Sequence, residues 1–258
     1  MFSRPLLVFD FDGVIIDGMD EYWWSARQAC SLLLSSHNCE GVWSQEAQEM
    51  FRRLRPFVQH GWEMVLLAAE LVRDDSPLRL KGIEYCFNNY ASCCLLGLQA
   101  WGWHPEQLQT ALEEVRSHAL TTDRASWLSL HRPFPGVVER LSSLPAEGAD
   151  WVVLTTKAAE FTKELLSFFC LSPLRVYGHE SGAKPEVLHR LAGERLLRGF
   201  VEDRRATLEK VLATPGLEDL RCYLVSWGYL CPGDFQELPP QISLLDQTIF
   251  KTPLATWP

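Results

Sequence analysis

The residues with the clearest chemical meaning are Asp10 and Asp12, which are separated by one residue and directly follow the short apolar run at residues 6–9. An uninterrupted apolar run of this length predicts a strand buried on both faces. In an α/β sheet, ligands bind beyond the carboxyl ends of such strands. Two carboxylates this close repel each other in a low-dielectric pocket, so they need a shared proton or a cation. Magnesium suits this position, because it prefers oxygen ligands and can also hold a substrate phosphate.

Three residues further along the chain have the chemistry needed to bind an anion. Thr155 and Thr156 follow the apolar run at residues 151–154, and their hydroxyls and amides can donate to an anion held by the first loop. Lys184 stands just before a predicted helix with Pro185 in its first turn, and its ammonium can balance Asp10 and a phosphate. Each residue also has an ordinary explanation, since threonines often cap turns and most lysines lie on the surface.

A further pair of acids follows a third apolar run. Glu202 and Asp203 come directly after residues 199–201, again at the predicted carboxyl end of a buried strand. Acids in this position can complete a metal site, and the alternative is that they cap the next helix.

Strand-like and helix-like patterns alternate through much of the chain. A fourth apolar run covers residues 222–225, and apolar residues at three- and four-residue spacings predict helices between the runs. The residues of these helical patterns are Val137, Val138, Leu141 and Leu144; Phe161, Leu165, Phe168 and Phe169; and Leu208, Val211 and Leu212. This alternation predicts an α/β fold with a doubly wound parallel sheet. The proline-rich part after Tyr229 is predicted to run over the core, with room for one last strand.

The segment from residue 18 to residue 131 has no convincing buried strand and instead carries several amphipathic helical patterns. Its apolar stripes are Trp23, Ala26, Cys30 and Leu33; Trp62, Val65, Leu66 and Ala69; and Leu108, Ala111, Leu112, Val115 and Ala119. A plausible hinge, with two prolines and a glycine, covers residues 132–136. We therefore predict one domain from residues 1–17 and 132–258 and an inserted all-helical domain at residues 18–131.

The composition restricts the class of partner and the compartment. The formal charge of −9 comes without a block of Lys or Arg, which argues against nucleic acid but not against a small phosphate ester bound by a local metal and a few cations.

Residues 85–105 carry no Asp, Glu, Lys or Arg, but their polar residues favour a packed helical lid over a membrane span. The eight cysteines form no CxxC pair and are expected to be buried and reduced. With no signal peptide recognised, the expected location is the cytoplasm.

Taken in order, the segments DFDGV, LTT, AKP and VED resemble the four signature motifs of the haloacid dehalogenase superfamily of hydrolases. The resemblance extends from Asp10 to Asp203, and the helical insertion resembles the cap domain of that family. Four short motifs in this order are jointly specific, although none is so alone. The resemblance implies a Rossmann-like core with a mobile helical cap, as in relatives of phosphoglycolate phosphatase and β-phosphoglucomutase.

The resemblance also implies roles for individual residues. Asp10 is expected to be the nucleophile that forms an aspartyl phosphate, and Asp12 the acid/base that favours phosphate esters over halides. Thr155 is expected to bind phosphate with Thr156 beside it, and Lys184 to anchor charge. The expected ligands of Mg²⁺ are Asp10, Asp12, Glu202 and Asp203. The predicted function is thus a magnesium-dependent phosphatase that acts on a small phosphorylated metabolite.

Two departures leave alternatives open. Many relatives have Gly-Asp with a second acid four residues later, whereas here Glu202 replaces the glycine and Thr207 takes the later position. Either Glu202 or water then completes the metal site, and a catalytically weak binding or regulatory protein becomes conceivable. A phosphotransferase or mutase would use the same residues and protect the aspartyl phosphate from water.

The helical insertion offers one candidate substrate site. Arg52 and Arg55 lie near Arg53, His60 and Trp62, and their cationic groups can bind a second anion of the substrate. The alternative is a solvated basic face of a helix, which is what charged runs usually form. The oligomeric state and the substrate itself have no signature in the sequence.

Overall fold

The computed structural model of the protein describes residues 4–34 and 43–258. The chain divides into two compact units. The core unit consists of Met1–Asp17 and Arg132–Pro258, and the helical unit consists of Gly18–His131.

The core unit is built on a parallel sheet. The strands, in chain order, are β1 (Leu6–Phe9), β2 (Ile16–Asp17), β3 (Arg132–Pro133), β4 (Asp150–Leu154), β5 (Val176–Tyr177), β6 (Leu197–Glu202), β7 (Cys222–Val225) and β8 (Ile242–Leu245). Six of them form one sheet in the order β5-β4-β1-β6-β7-β8, and every neighbouring pair is parallel. The fold class is therefore the predicted α/β class with a doubly wound, Rossmann-like sheet.

The helices divide between the two units. Those of the helical unit are α1 (Met19–Leu33), α2 (Gln45–Leu54), α3 (Gly61–Val72), α4 (Pro77–Lys81), α5 (Ile83–Asn88), α6 (Tyr90–Trp101), α7 (Pro105–Thr122) and α8 (Arg124–Ser129). Those of the core unit are α9 (Val137–Ser143), α10 (Ala159–Phe168), α11 (Lys184–Glu194), α12 (Arg205–Leu212) and α13 (Gln247–Phe250).

The order of the strands determines which loops meet. All residues of β1 are buried, and β1 lies between β4 and β6 in the sheet. Because the three strands are parallel, their carboxyl ends lie at one edge, and the loops that follow them are neighbours. The residues after β1 and β4 and at the end of β6 are the acids and threonines singled out in the sequence.

The four predicted strands are confirmed, β8 is the one last strand for which the sequence left room after Tyr229, and the structure adds β5 to the sheet. The predicted apolar stripe of α10 is partly wrong. Phe161 and Leu165 are buried as expected, but Phe168 is the last residue of the helix and is 47% exposed. Leu166, rather than Phe168, belongs to the buried face of α10. With 3.6 residues per turn, the buried positions do not repeat at a fixed spacing of three or four residues.

The predicted hinge forms a two-stranded antiparallel ribbon within the core unit. Ile16 pairs with Pro133 and Asp17 with Arg132, so the chain leaves and re-enters the core unit side by side. Phe134 extends the pairing by donating its N–H to Ile15 O at 3.0 Å. Whether this ribbon acts as a hinge stays a prediction.

Three helices form the centre of the helical unit, where α1, α3 and α7 contact one another. Most residues of the predicted stripes are buried, although Leu33 and Trp62 are only half-buried. A buried ion pair lies between α1 and α7. Arg116 donates to both oxygens of Glu21 at 2.8 and 2.9 Å, and His131 Nε2 lies 3.6 Å from the same carboxylate.

The uncharged stretch at residues 85–105 forms most of α5 and all of α6. It is less well packed than predicted, since Gly97 is the one fully buried residue of α6 whereas Leu95 and Leu96 are exposed. Within residues 4–34 and 43–258, the structure has no helix that is both long and apolar enough to span a bilayer.

Candidate active site

Asp10 lies at the centre of a buried ion-pair network in the core unit. Its backbone N–H donates to Val201 O at 2.8 Å, which ties the residue after β1 to β6. Lys184 Nζ lies 2.8 Å from Asp10 Oδ1 and equally 2.8 Å from Glu202 Oε2. Lys184 is the first residue of α11, where Pro185 takes the second helical position. One amine thus connects the acids that follow β1 and end β6.

The pKa values of these groups show how unfavourable three close acids are in a buried pocket. Burial raises the pKa of Asp10 to about 8, helped by the charge of Glu202 and opposed by Lys184. Burial likewise raises the pKa of Glu202, and nearby Asp203 adds to the effect. Burial disfavours the charged form of Lys184, but Asp10 and Glu202 outweigh it and raise the pKa of the amine. The pocket therefore favours additional positive charge.

The donor set fits a hard divalent cation. One ligand oxygen each from Asp10, Glu202 and Asp203 lies within 4.8 Å of the others, and all three residues are buried. In the described part of the chain, this is the one group of three or more His, Cys, Asp or Glu side chains arranged in this way. Carboxylate oxygens are the ligands that Mg²⁺ takes in proteins. The carboxylate of Asp12 is not in this group.

Asp203 is positioned by a close approach of three chain segments. Tyr229 donates its backbone N–H to Asp203 Oδ2 at 2.7 Å. A Cβ at Gly13, whose φ is +90°, or at Gly228 would collide with the Asp203 side chain, so both positions require glycine. Sequence reasoning missed Gly228 and Tyr229, which carry no recognisable motif.

Glu202 is fixed at both of its oxygens. Oε2 contacts Lys184, and Oε1 accepts the backbone N–H groups of Asp203 and Arg204 at 3.2 and 3.3 Å. Thr207, four residues after Asp203, lies in the first turn of α12. The acid that joins Asp10 and Asp203 in this structure is therefore Glu202.

Asp12 faces a lysine that sequence reasoning missed. Lys157 Nζ lies 3.5 Å from Asp12 Oδ1, and the Lys157 side chain is 1% exposed. The backbone N–H of Lys157 donates to Thr155 Oγ1 at 3.1 Å, which shapes the loop after β4. The one available signal was a lysine directly after the two threonines, and most lysines at such positions are exposed.

The two threonines differ in their surroundings. Thr155 is buried, and its hydroxyl oxygen accepts one hydrogen bond while its own hydrogen can still be donated. Thr156 is exposed. Their roles as phosphate ligands stay predictions.

The arginines predicted to bind substrate have partners within the helical unit. Arg52 Nη2 lies 3.9 Å from Asp20 Oδ1, with both side chains nearly half exposed. The Arg55 guanidinium lies 4.9 Å from the centre of the Tyr22 ring. An exposed ion pair of this kind contributes little to stability. Substrate binding by Arg52 and Arg55 stays a prediction.

Solved structures of similar fold cover nearly the whole chain. A predicted phosphatase from Clostridium acetobutylicum has 15% sequence identity and a TM-score of 0.58, with 94% of each chain covered. A haloacid dehalogenase-like family hydrolase from Streptococcus pneumoniae has 17% identity and a TM-score of 0.55, with 95% of each chain covered. A HAD-superfamily hydrolase of subfamily IA from Geobacter sulfurreducens has 15% identity and a TM-score of 0.53, with 97% of each chain covered. At this identity the comparison establishes the shared fold.

Sequence comparison adds no closer relative. No protein-family model matches the chain, and no curated protein matches its sequence.

Proposed function

We propose that the protein is a magnesium-dependent phosphatase that hydrolyses a small phosphorylated metabolite through an aspartyl phosphate on Asp10. The observation that carries this proposal is the buried network in which Lys184 contacts both Asp10 and Glu202, with Asp203 beside them. The shared fold with phosphatases and hydrolases of the haloacid dehalogenase superfamily supports the same reaction class.

Asp10 has the position required of a nucleophile. It follows the central strand of the sheet, and its backbone is held by β6, so the carboxylate is fixed before substrate arrives. In the proposed reaction, a carboxylate oxygen of Asp10 attacks phosphorus in line with the leaving oxygen. Lys184 stabilises charge on Asp10 before attack and on the phosphoryl oxygens during transfer.

Asp10, Glu202 and Asp203 would hold the magnesium ion. Its chemical contribution when bound is to neutralise charge on the carboxylates and on the substrate phosphate. The raised pKa values of Asp10 and Glu202 agree with this role, because both acids need a compensating cation to stay ionised.

Asp12 is the proposed acid/base. In its protonated form it gives a proton to the departing alkoxide, and as a carboxylate it then removes a proton from the water that opens the aspartyl phosphate. Help of this kind typically contributes about 100- to 10,000-fold in rate. Thr155, whose hydroxyl proton remains available, is proposed to donate to the transferred phosphoryl group.

The test is a screen of the full-length protein against phosphorylated small molecules, with and without added magnesium chloride after treatment with a chelator. We expect magnesium-dependent release of inorganic phosphate that is lost by at least about 100-fold in Asp10→Asn, which keeps size and removes the nucleophile. Asp219→Asn, an exposed aspartate of the core unit, is the matched control and should retain activity.

Product analysis separates hydrolysis from phosphoryl transfer. Free inorganic phosphate supports the proposal, whereas an isomerised ester would indicate a mutase. Equal activity of the wild type and Asp10→Asn would overturn the assignment of the nucleophile.

A further inference from the structure

Two cysteines of the helical unit face each other across neighbouring helices. Cys86 lies on α5 and Cys93 on α6, and their sulfur atoms are 3.6 Å apart. Cys86 is 3% exposed, and Cys93 is half-buried. Neither cysteine is a residue of the candidate active site, and neither has a role in the proposed reaction.

The distance is short enough for a covalent link after a small movement. A disulfide has sulfur atoms about 2.05 Å apart, so the two sulfurs have to approach by about 1.5 Å. The helices that carry them are separated only by Asn89, which follows α5 and precedes α6. A short connection of this kind keeps the two sulfurs close together, and no distant segment has to move.

A small cavity lies beside the two cysteines. Its volume is about 30 Å³, and its lining includes Cys86, Cys93 and Cys94 together with apolar side chains such as Leu66, Leu67 and Leu78. One water-sized molecule needs only about 10 to 15 Å³ of this kind of volume. Hydrogen peroxide is of comparable size, whereas a peptide disulfide such as oxidised glutathione is far larger.

We propose that Cys86 and Cys93 form a redox pair that a small peroxide converts into a disulfide within the helical unit. This inference is independent of the proposed phosphatase activity. The third neighbouring cysteine, Cys94, is not part of the pair, because its thiol is engaged with Tyr90 beside Glu63.

The chemistry proceeds in two balanced steps. The Cys93 sulfur attacks one oxygen of the peroxide, the O–O bond breaks, and the thiol proton leaves with the other oxygen as water, so Cys93 becomes a sulfenic acid. The Cys86 sulfur then attacks the Cys93 sulfur, the S–O bond breaks, and the Cys86 proton leaves with the hydroxyl as a second water. In total the two thiols lose two electrons and two hydrogens, and the peroxide is reduced to two waters.

The difference in exposure assigns the order of the two sulfurs. Cys93 is the more exposed and meets the oxidant first. Burial raises the pKa of Cys86 to about 12, so this thiol stays protonated, is a poor nucleophile towards peroxide and reacts second, losing its proton as it attacks the Cys93 sulfur. A dithiol reductant reverses the link by thiol–disulfide exchange.

The experiment treats the full-length protein with graded hydrogen peroxide, blocks remaining thiols with an alkylating agent, and maps the products by mass spectrometry. Cleavage after Phe87 and Tyr90 places Cys86 and Cys93 on different peptides, which stay joined only if the disulfide exists. We expect a joined pair with a mass about 2 Da below the sum of the reduced peptides, and its separation by dithiothreitol.

Single variants identify the partners. Cys94→Ser is the matched control and should still form the link, whereas Cys86→Ala and Cys93→Ala should not. Peptide mapping of the peroxide-treated wild-type protein tests for the disulfide by itself, so the result stands even if one of the variants fails to fold. Recovery of both thiols unchanged in the peroxide-treated wild type would overturn the proposal, and so would a disulfide that maps to Cys94 or a gain of oxygen without joined peptides.

Discussion

Lys157 Nζ lies 3.5 Å from Asp12 Oδ1, which places a buried amine against the carboxylate proposed as the acid/base. The two residues follow neighbouring strands, β1 and β4, whose carboxyl ends meet at one edge of the sheet. A buried lysine is costly unless a carboxylate compensates its charge. The pair therefore fixes the position of the Asp12 carboxylate.

Replacement of Lys157 by methionine tests this pairing. Lys157→Met keeps the length of the side chain and removes its charge, so Asp12 loses the contact that orients it. We expect kcat for phosphate release to fall by about 10- to 100-fold, with a smaller change in KM, because proton transfer depends on the position of Asp12. Steady-state kinetics measure both constants.

Lys163→Met is the matched control, since Lys163 is an exposed lysine on α10. It should leave kcat unchanged. An equal kcat in Lys157→Met and the wild type would show that the amine has no part in the chemistry. A loss of folded protein, detected by circular dichroism, would instead assign Lys157 a purely structural role.

Glu202 should determine how tightly magnesium binds. In Glu202→Gln one oxygen remains but the negative charge is lost, so the affinity for magnesium is expected to fall by about 10- to 100-fold. The midpoint of thermal unfolding, measured against magnesium concentration, reports this affinity because an ion that binds only the folded state stabilises it.

Glu218→Gln is the control for the loss of an acid from the core unit, because Glu218 is exposed and belongs to no metal-binding group of the described residues. Its magnesium dependence should match that of the wild type. If Glu202→Gln also matched the wild type, the acid that ends β6 would not be a ligand.

The sequence indicated much of this site because its residues follow recognisable strands. Asp10, Lys184 and Asp203 are predicted from the order of their motifs, and the structure brings them together. Lys157 was missed because its burial depends on the path of the loop after β4, which no local pattern reveals. The contact of Tyr229 with Asp203 uses a backbone N–H, so the identity of the side chain carries no signal.

The limits of prediction for the fold have similar causes. β5 has only two residues, both half-buried, and lies at the edge of the sheet, so it lacks the long apolar run of β1. The spacing of Phe168 fits a helical stripe, but the helix ends there and leaves its side chain 47% exposed. Periodicity predicts the presence of an element better than the surroundings of its last residue.

The Glu147 carboxylate stabilises the folded protein to an extent that depends on pH. Its carboxylate accepts hydrogen bonds from Arg140 at 2.5 and 3.1 Å and from the backbone N–H of Leu254 at 2.6 Å, which ties the C-terminal segment to the rest of the core unit. Partial burial opposes the charge, but these bonds outweigh it and lower the pKa of Glu147. A lowered pKa means that the stabilisation is present above the unfolded-state pKa and is lost as the pH falls through the folded-state pKa.

The variant Glu147→Gln should therefore lose stability mainly near neutral pH. Since the carboxylate is partly exposed, we expect a loss of about 0.5 to 1 kcal/mol at pH 7, shrinking towards zero below about pH 4. Urea unfolding of both proteins across this pH range measures the difference. A constant difference at every pH would show that the charge of Glu147 contributes nothing.

The buried pair of Glu21 and Arg116 makes the helical unit sensitive to the loss of one partner. Removal of Arg116 leaves Glu21 as a fully buried acid without the two N–H donors of the guanidinium. Arg116→Leu is expected to destabilise the protein by about 3 to 5 kcal/mol, because an uncompensated buried charge is far more costly than a missing pair. The double variant Glu21→Leu with Arg116→Leu removes that charge and should be more stable than Arg116→Leu alone. Thermal unfolding of the three proteins decides the question, and a double variant less stable than Arg116→Leu would contradict the charge-based explanation and point to packing.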